Sequence, residues 1–387
     1  MLKLEAEVRA YLATLQTDAP KTKEDVRRVL LERKLEQLLM KRKDLLPIEG
    51  RALSLIRRVD YSALKPQMVF CAPKDRDVWN YLRNTVSSAP WTDRPGRSML
   101  LFCVDRTTGG IVGIVDLGSD LAMLGPRDKH IGWTQNRRLP GGGLRHVVNL
   151  GTCVAVAPFG LLTGGKFMSV AATAQEVGAT WQRRYGDILA GVSTTSLYGE
   201  SSQYNRIKEY RYLGETEGVG NAHINENGKR LLEAFSSHNR QLGRYWRVGK
   251  HGPAGNLPSK LNYLITVCEV LEIDYSKYGA SQPRGVYFAE RGPNALPFLR
   301  GETSDFADTT RTLDEISEWW LERWYKMRWP KKRDEVNAFS FDVYRVDNQI
   351  ELCREAIARG PSVEGDILPQ AESSVRSAGA ALNSDLQ

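Results

Sequence analysis

The sequence predicts an α+β fold in which an antiparallel meander feeds a central strand, a glycine loop and a helix. Three observations carry this. Ser98–Asp105 (SMLLFCVD) and Ile111–Leu117 (IVGIVDL) are β-rich and flank Arg106-Thr107-Thr108-Gly109-Gly110, the signature of a hairpin. Val147–Ala157 (VVNLGTCVAVA) is apolar and long enough for one buried strand. After Gly160-Leu161-Leu162-Thr163-Gly164-Gly165, the stretch Lys166–Arg184 places Phe167, Val170, Ala171, Ala174, Val177 and Trp181 at helical spacing, on one face. Tyr185-Gly186-Asp187 stops that helix, and Ile188–Thr195 reads as the next strand. The order strand, strand, strand, helix, strand is mixed rather than doubly wound.

On either side of this core the pattern is helical. Residues 1–60 form an N-terminal helical segment, 61–222 the core domain, 223–358 a helical C-terminal extension, and 359–387 a tail expected to be disordered because it is rich in Ser, Ala, Gly and Pro. In Thr22–Lys43, Val26, Leu30, Leu31, Leu35, Leu38 and Leu39 make an apolar stripe, and eight Lys/Arg stand against four acids. That helix either lies on nucleic acid or packs with a solvated basic face. Thr22 and Asp25 resemble a capping box, and Pro47 is expected to end the helix. Met68–Cys71 reads as a short strand and Asp75–Thr85 as a short helix. Further on, Asn225–Phe235, Ser259–Glu272 and Leu313–Arg328 read as helices, Gly285–Glu290 as a strand and Arg291–Asp308 as a loop.

A chain of 387 residues with 41% hydrophobic content accommodates one large or two medium domains. It has no apolar run of about 18 residues, so no transmembrane helix or membrane partner is expected. The opening Met1-Leu2-Lys3-Leu4-Glu5-Ala6-Glu7 lacks the apolar region of a secretion signal. Five scattered cysteines (Cys71, Cys103, Cys153, Cys268, Cys353) form no C-x-x-C pair, which points to a cytoplasmic location and away from a zinc site. The net charge of +8 fits nucleic acid or an acidic cofactor. Because residues 359–387 carry two Arg against four acids, the positive charge lies in the body.

Gly160–Lys166 matches G-x-x-x-x-G-K. A P-loop needs Ser or Thr next, to bind magnesium, and the chain has Phe167. The loop still suits an anion: Gly160, Gly164, Gly165 and Lys166 are candidate cofactor-binding residues, with free N–H groups at the helix start. The competing reading is an ordinary turn in a packed core. In Arg127-Asp128-Lys129-His130-Ile131-Gly132-Trp133, His130 is a candidate proton carrier tuned by Asp128. The competing reading there is a strand start with a loop salt bridge. Arg137, Arg138 and Arg145, around Gly141-Gly142-Gly143, could grip phosphate. Trp319–Arg333 (WWLERWYKMRWPKKR) holds four Trp, one Tyr and six Lys/Arg. It suits single strands or flipped bases. Alternatively Trp320, Trp324 and Met327 share one packed helical face, and Lys331, Lys332 and Arg333 face solvent.

These motifs carry two resemblances. The order meander, strand, glycine loop, helix, strand, with Asn205 to Gly214 closing it, is similar to the GNAT acetyltransferase fold, whose glycine loop takes a CoA pyrophosphate; that family's loop arginine is absent. The series Arg127, Asp128, Ile131, Gly132, Trp133; Val147–Asn149; Pro158; Trp181, Tyr185, Gly186; and Tyr212, Leu213, Gly214, Thr216, Gly218, Gly220 resembles the DruA family of the Druantia anti-phage defence system. Members of that family usually carry G-T-x-Y-x-x-x-N-W where this chain has Ser202-Gln203-Tyr204-Asn205-Arg206-Ile207-Lys208-Glu209-Tyr210. The resemblances imply a DNA-directed protein of phage–host conflict with a GNAT-like core and a CoA-like or nucleotide cofactor. As a group-transfer enzyme acting on nucleic acid, it would use Asp128 or His130 for a proton, with Tyr204 and Tyr210 lining the pocket. Two other readings stand beside this: a non-catalytic scaffold or sensor that binds other defence-system subunits, and a small-molecule acyl-CoA-dependent N-acetyltransferase.

Overall fold

A computed structural model describes residues 2–17, 22–91, 96–133, 142–197, 199–216, 226–239, 264, 266–274 and 283–359. The chain divides into two compact units, Arg27–Thr216 with Arg284–Gln387, and Met1–Val26 with Glu217–Pro283. This division threads the chain differently from the consecutive segments expected of the sequence. The tail expected to be disordered lies, apart from Arg359, outside the described residues.

The larger unit is built on a seven-stranded sheet of order β1-β2-β3-β4-β5-β7-β6. The strands are β1 (Pro66–Phe70), β2 (Ser98–Asp105), β3 (Ile111–Ser119), β4 (Val147–Ala155), β5 (Gly191–Ser196), β6 (Arg211–Glu215) and β7 (Gly285–Glu290). The expected β2–β3 hairpin is present, with Leu101 opposite Val115. Its turn is held by the buried Asp105 carboxylate, which accepts from the amides of Thr107 (3.3 Å) and Thr108 (3.2 Å) and from the Thr108 hydroxyl (2.7 Å). Alternation along β2 serves two cores. Met99, Leu101 and Cys103 join a cluster with Phe159, Phe167, Trp181 and Trp320, while Phe102 joins one with Leu38, Leu53, Trp79 and Ile350. The sheet is thus a middle layer with helices on both faces.

All strand pairs in the sheet are antiparallel except β4 with β5. A parallel pair needs a crossover, and α5 (Ala157–Leu161), α6 (Gly164–Ala171) and α7 (Gln175–Tyr185) supply it. β4 and β5 stay in register over only three pairs, Val147–Asn149 with Gly191–Ser193, and then diverge. Beyond that point the Thr194 hydroxyl reaches the Leu150 carbonyl (2.9 Å) and the Gln203 amide reaches the Cys153 carbonyl (3.1 Å). The single helix expected over 166–184 is broken at 172–174. The carbonyls of Thr173 and Ala174 accept from the Arg291 guanidinium (2.5 and 3.1 Å), and the Ala174 carbonyl also accepts from the Gly178 amide (3.2 Å) as α7 begins.

Three further expectations are corrected. Helix α2 (Lys23–Arg57) runs through Pro47; the lost hydrogen bond is outweighed by Leu45, Ala52, Leu53 and Ile56 packing into the core. The capping box at its start forms as expected, with the Thr22 amide on Asp25 (3.0 Å) and the Asp25 amide on the Thr22 hydroxyl (3.1 Å). Arg291–Asp308 contains a short helix, Ala295–Arg300. The Leu313–Trp320 helix passes through a π-helical turn, Leu321–Tyr325, into Lys326–Asn337. The wider turn rotates the Lys326–Asn337 helix about its axis, so Trp320 is buried and Met327 is 63% exposed.

In the smaller unit, α1 (Leu2–Thr17) and α8 (Glu226–Ser237) share a core of Val8, Leu12, Leu232 and Phe235 with Leu264, Val267, Cys268 and Leu271.

Lys34, on α2, is 2% exposed and donates to the Gln349 side chain (2.6 Å) and the Thr85 carbonyl (3.2 Å). Burial holds its ammonium down to about 8, from the ordinary 10.5. Between these two values the unfolded chain keeps a proton that the folded chain has lost, so stability rises with pH across that window. Denaturant titrations of the wild type should gain about 3 kcal/mol from pH 8 to 10.5 relative to Lys34→Met, which lacks the titrating group.

Candidate functional site

The two basic motifs of the sequence, the glycine loop and Trp319–Arg333, meet at the start of α6. Thr163 takes a left-handed φ of 63° and Gly164 opens the helix. A side chain at Gly164 would overlap the Phe159 ring, so this glycine is set by packing; a Cβ at Gly165 would meet Gln203 at 3.3 Å, and one at Gly160 would face open space. Phe167 packs edge-on to Phe159 and Trp320, with ring centroids 6.3 and 5.9 Å away. The position that would bind magnesium in a P-loop is therefore core.

Lys166 donates to the carbonyls of Ser202 and Asn205, the latter at 2.5 Å. Burial and the nearby cations Arg206, Arg328 and Arg323 push its pKa down. Lys166 and Arg323 also lie over the Trp324 ring, 5.6 and 5.3 Å from its centroid. Two cations thus flank one half-buried indole, with Arg206 and Arg328 near Lys166, and the indole Nε1 has no hydrogen-bond partner among the described residues. Arg206 has a φ of 61°, a conformation strained for a side-chain-bearing residue. Of the other proposed phosphate ligands, Lys331 is exposed, Lys332 pairs with Glu335 (2.7 Å), Arg333 with Asp334 (3.1 Å) and Arg145 with Asp187 (3.4 Å). Arg137 and Arg138 lie outside the described residues.

The Arg127–Trp133 motif is a helix, α4 (Gly125–Ile131), and not a strand start. Pro126 suits its first turn, and Gly132, at φ 80°, closes its end. Arg127 is completely buried between Asp120 (2.5 Å) and Asp128 (2.6 Å). Asp120 also accepts from Ser193 on β5 (2.7 Å), and Asp128 from the Leu124 amide (3.2 Å). Asp128 is thus engaged in a buried ion-pair network. His130 points elsewhere, its Nε2 3.1 Å from Glu290 and its ring edge-on to Phe288 (5.8 Å).

Tyr204 and Tyr210 are neighbours, with ring centroids 5.3 Å apart, and Tyr287 lies 5.0 Å from Tyr204. Tyr210 donates to the Ser169 carbonyl (3.1 Å), and Tyr204 lies 3.4 Å from the Thr194 hydroxyl. Burial pushes both phenols up, so both keep their protons at neutral pH. Beside them the structure has a cavity of about 320 Å³, lined in part by Lys208, Glu209, Arg211, Glu290, Arg291 and Arg311. No local pattern marks these residues in the sequence; they come from β6, β7 and the segments next to them. Glu290 links the cavity to His130.

Among the described residues no helix is long and apolar enough to cross a membrane.

The family described as Druantia protein DruA matches residues 20–249, more than half of the chain, and the chain belongs to that family. The Druantia protein DruA of Escherichia coli (strain UMEA 4076-1) is 25% identical over 258 residues, which cover 61% of this chain and 62% of that relative. The chain thus spans under two thirds of the relative's length. No solved structure matches.

Because removal of one partner strands buried charge, Arg127→Met should destabilise the protein by about 3–5 kcal/mol. Lys331→Ala, at an exposed position, should stay within about 0.5 kcal/mol of wild type. Urea unfolding of the two variants side by side checks both values.

Proposed function

We propose that this protein is a DNA-directed component of phage–host conflict, acting in anti-phage defence as its family membership suggests. The carrying observation is the group of cations Arg206, Arg323 and Arg328 near Lys166, with Lys166 and Arg323 over the Trp324 ring. Cations this close repel one another, and after burial their charge is the second cause of the lowered Lys166 pKa. A phosphate backbone relieves that repulsion, and the adjoining half-buried indole offers a stacking surface for an unpaired base. Single-stranded or locally opened DNA is therefore the favoured partner, with other defence-system subunits as further partners.

The core is read as GNAT-like. What supports this is the meander, the single parallel pair β4–β5 and its divergence after three residue pairs. A cofactor at the glycine loop has less support, because the diverging strands are bridged by Gln203 and Lys166 already serves two carbonyls. Group transfer to nucleic acid then rests on His130 with Glu290 rather than on Asp128.

Binding of a labelled single strand, followed across salt concentrations, tests the reading. The triple variant Arg206→Ala/Arg323→Ala/Arg328→Ala should reduce the slope of log K against log salt by about 2, and Trp324→Ala should weaken binding by about 1–3 kcal/mol. Wild-type protein with no salt-dependent binding, or a triple variant that melts normally with an unchanged slope, would rule the interface out.

A further inference from the structure

The charged cavity beside β7 is independent of the surface proposed for the DNA backbone. Four of its lining residues are cations (Lys208, Arg211, Arg291, Arg311) and two are acids (Glu209, Glu290). Both acids are engaged, Glu209 with Arg311 at 2.5 Å and Glu290 with His130 at 3.1 Å. Arg291 has no exposed surface and is bound to Asp308 (2.6 Å) and to the Thr173 and Ala174 carbonyls. Lys208 and Arg211 are exposed at the rim and make no side-chain hydrogen bond or ion pair with the described residues. The cavity therefore keeps unneutralised positive charge at its mouth.

Its interior is also short of partners. Ten buried side-chain polar atoms among the described residues have no hydrogen-bond partner, and three of them are on residues that line this one cavity: Arg291 Nε, Arg311 Nε and Glu209 Oε2. Buried polar groups are almost always satisfied by protein, water or ligand, so such a cluster needs a partner. Two of the three are donors and one is a carboxylate acceptor. The complementary ligand offers acceptor oxygens to the arginines and an O–H or N–H to Glu209. A bare phosphate dianion supplies only the first. A volume of about 320 Å³ holds far more than a phosphate and falls within the range of small-molecule sites. Val170, Phe288 and Ile316 add an apolar wall for a ring. The wall around Arg291 is closely fitted, since a side chain on Gly178 of α7 would collide with its guanidinium.

We propose that this cavity binds a phosphomonoester carried on a nucleotide-sized body, with the phosphate toward Lys208, Arg211, Arg291 and Arg311 and a hydroxyl or amino group on Glu209. A free nucleoside monophosphate and the phosphorylated end of a DNA strand present the same chemistry. Calorimetric titration of the full chain with the four deoxynucleoside 5′-monophosphates and with their nucleosides tests the site. Parallel titrations with one oligonucleotide in 5′-phosphorylated and 5′-hydroxyl forms separate the sources, because backbone contacts are common to both forms. At least one monophosphate should bind tenfold or more tightly than its nucleoside. Lys208→Ala/Arg211→Ala should abolish that preference without changing the melting temperature, whereas Lys331→Ala should leave it intact. A tenfold or greater gain of the 5′-phosphorylated over the 5′-hydroxyl oligonucleotide assigns the site to strand ends; a monophosphate preference without that gain assigns it to free nucleotides. If no monophosphate is preferred over its nucleoside and the two oligonucleotides bind alike, the proposal fails. It also fails if the double variant keeps the full preference. Neither result bears on backbone binding, which is read from the 5′-hydroxyl strand.

Discussion

Arg291 stands at the end of β7, and much of the larger unit is arranged around its buried guanidinium. Its backbone amide bonds to Ala190, just before β5, and its carbonyl accepts from Thr309. Its side chain binds the Thr173 and Ala174 carbonyls between α6 and α7, and the crossover bends where the arginine enters. Asp308 supplies the counter-charge. A fully buried guanidinium is costly unless each hydrogen is placed, and here two helices, a strand and a neighbouring loop place it. The Nε that stays unpartnered faces a cost that the rest of the arrangement does not remove.

The convergence at α6 depends on the same kind of packing. Phe167 and Phe159 bury against Trp320, which fixes the Leu313–Trp320 helix over the glycine turn. The adjoining π-helical turn directs Trp324 toward Lys166 and leaves Met327 in solvent. An apolar contact thus brings together two basic segments far apart in the chain, and their mutual repulsion is borne by that contact.

Elements bounded by strong local punctuation were legible in the sequence. The β2–β3 hairpin with its Gly-Gly turn, the Gly285–Glu290 strand and the Thr22–Asp25 capping box formed where residue spacing placed them. What failed depended on distant partners. Pro47 is tolerated because core residues flank it on both sides, and the 166–184 helix is cut by an arginine from another strand. Met327 left its expected face because one turn is wider than an α-helix allows. At the site, Lys166 and the Trp319–Arg333 segment were each visible, but their meeting was not. The cavity residues Glu290, Arg291 and Arg311 carry no motif at all; only the strand order brings them together.

The smaller unit's second segment leaves the sheet after β6 and returns at β7, two strands that pair with each other. The Thr216 amide bonds to the Arg284 carbonyl (2.9 Å) and the Arg284 amide to the Thr216 hydroxyl (3.0 Å), so the excursion starts and finishes at one clasp. In effect the sheet has a hairpin whose connection is one of the two segments of the smaller unit. Such a clasp isolates the strand register from whatever is strung between its ends. A change in the length of that stretch then leaves the strands that shape the cavity in alignment, because their register is fixed by their own pairing.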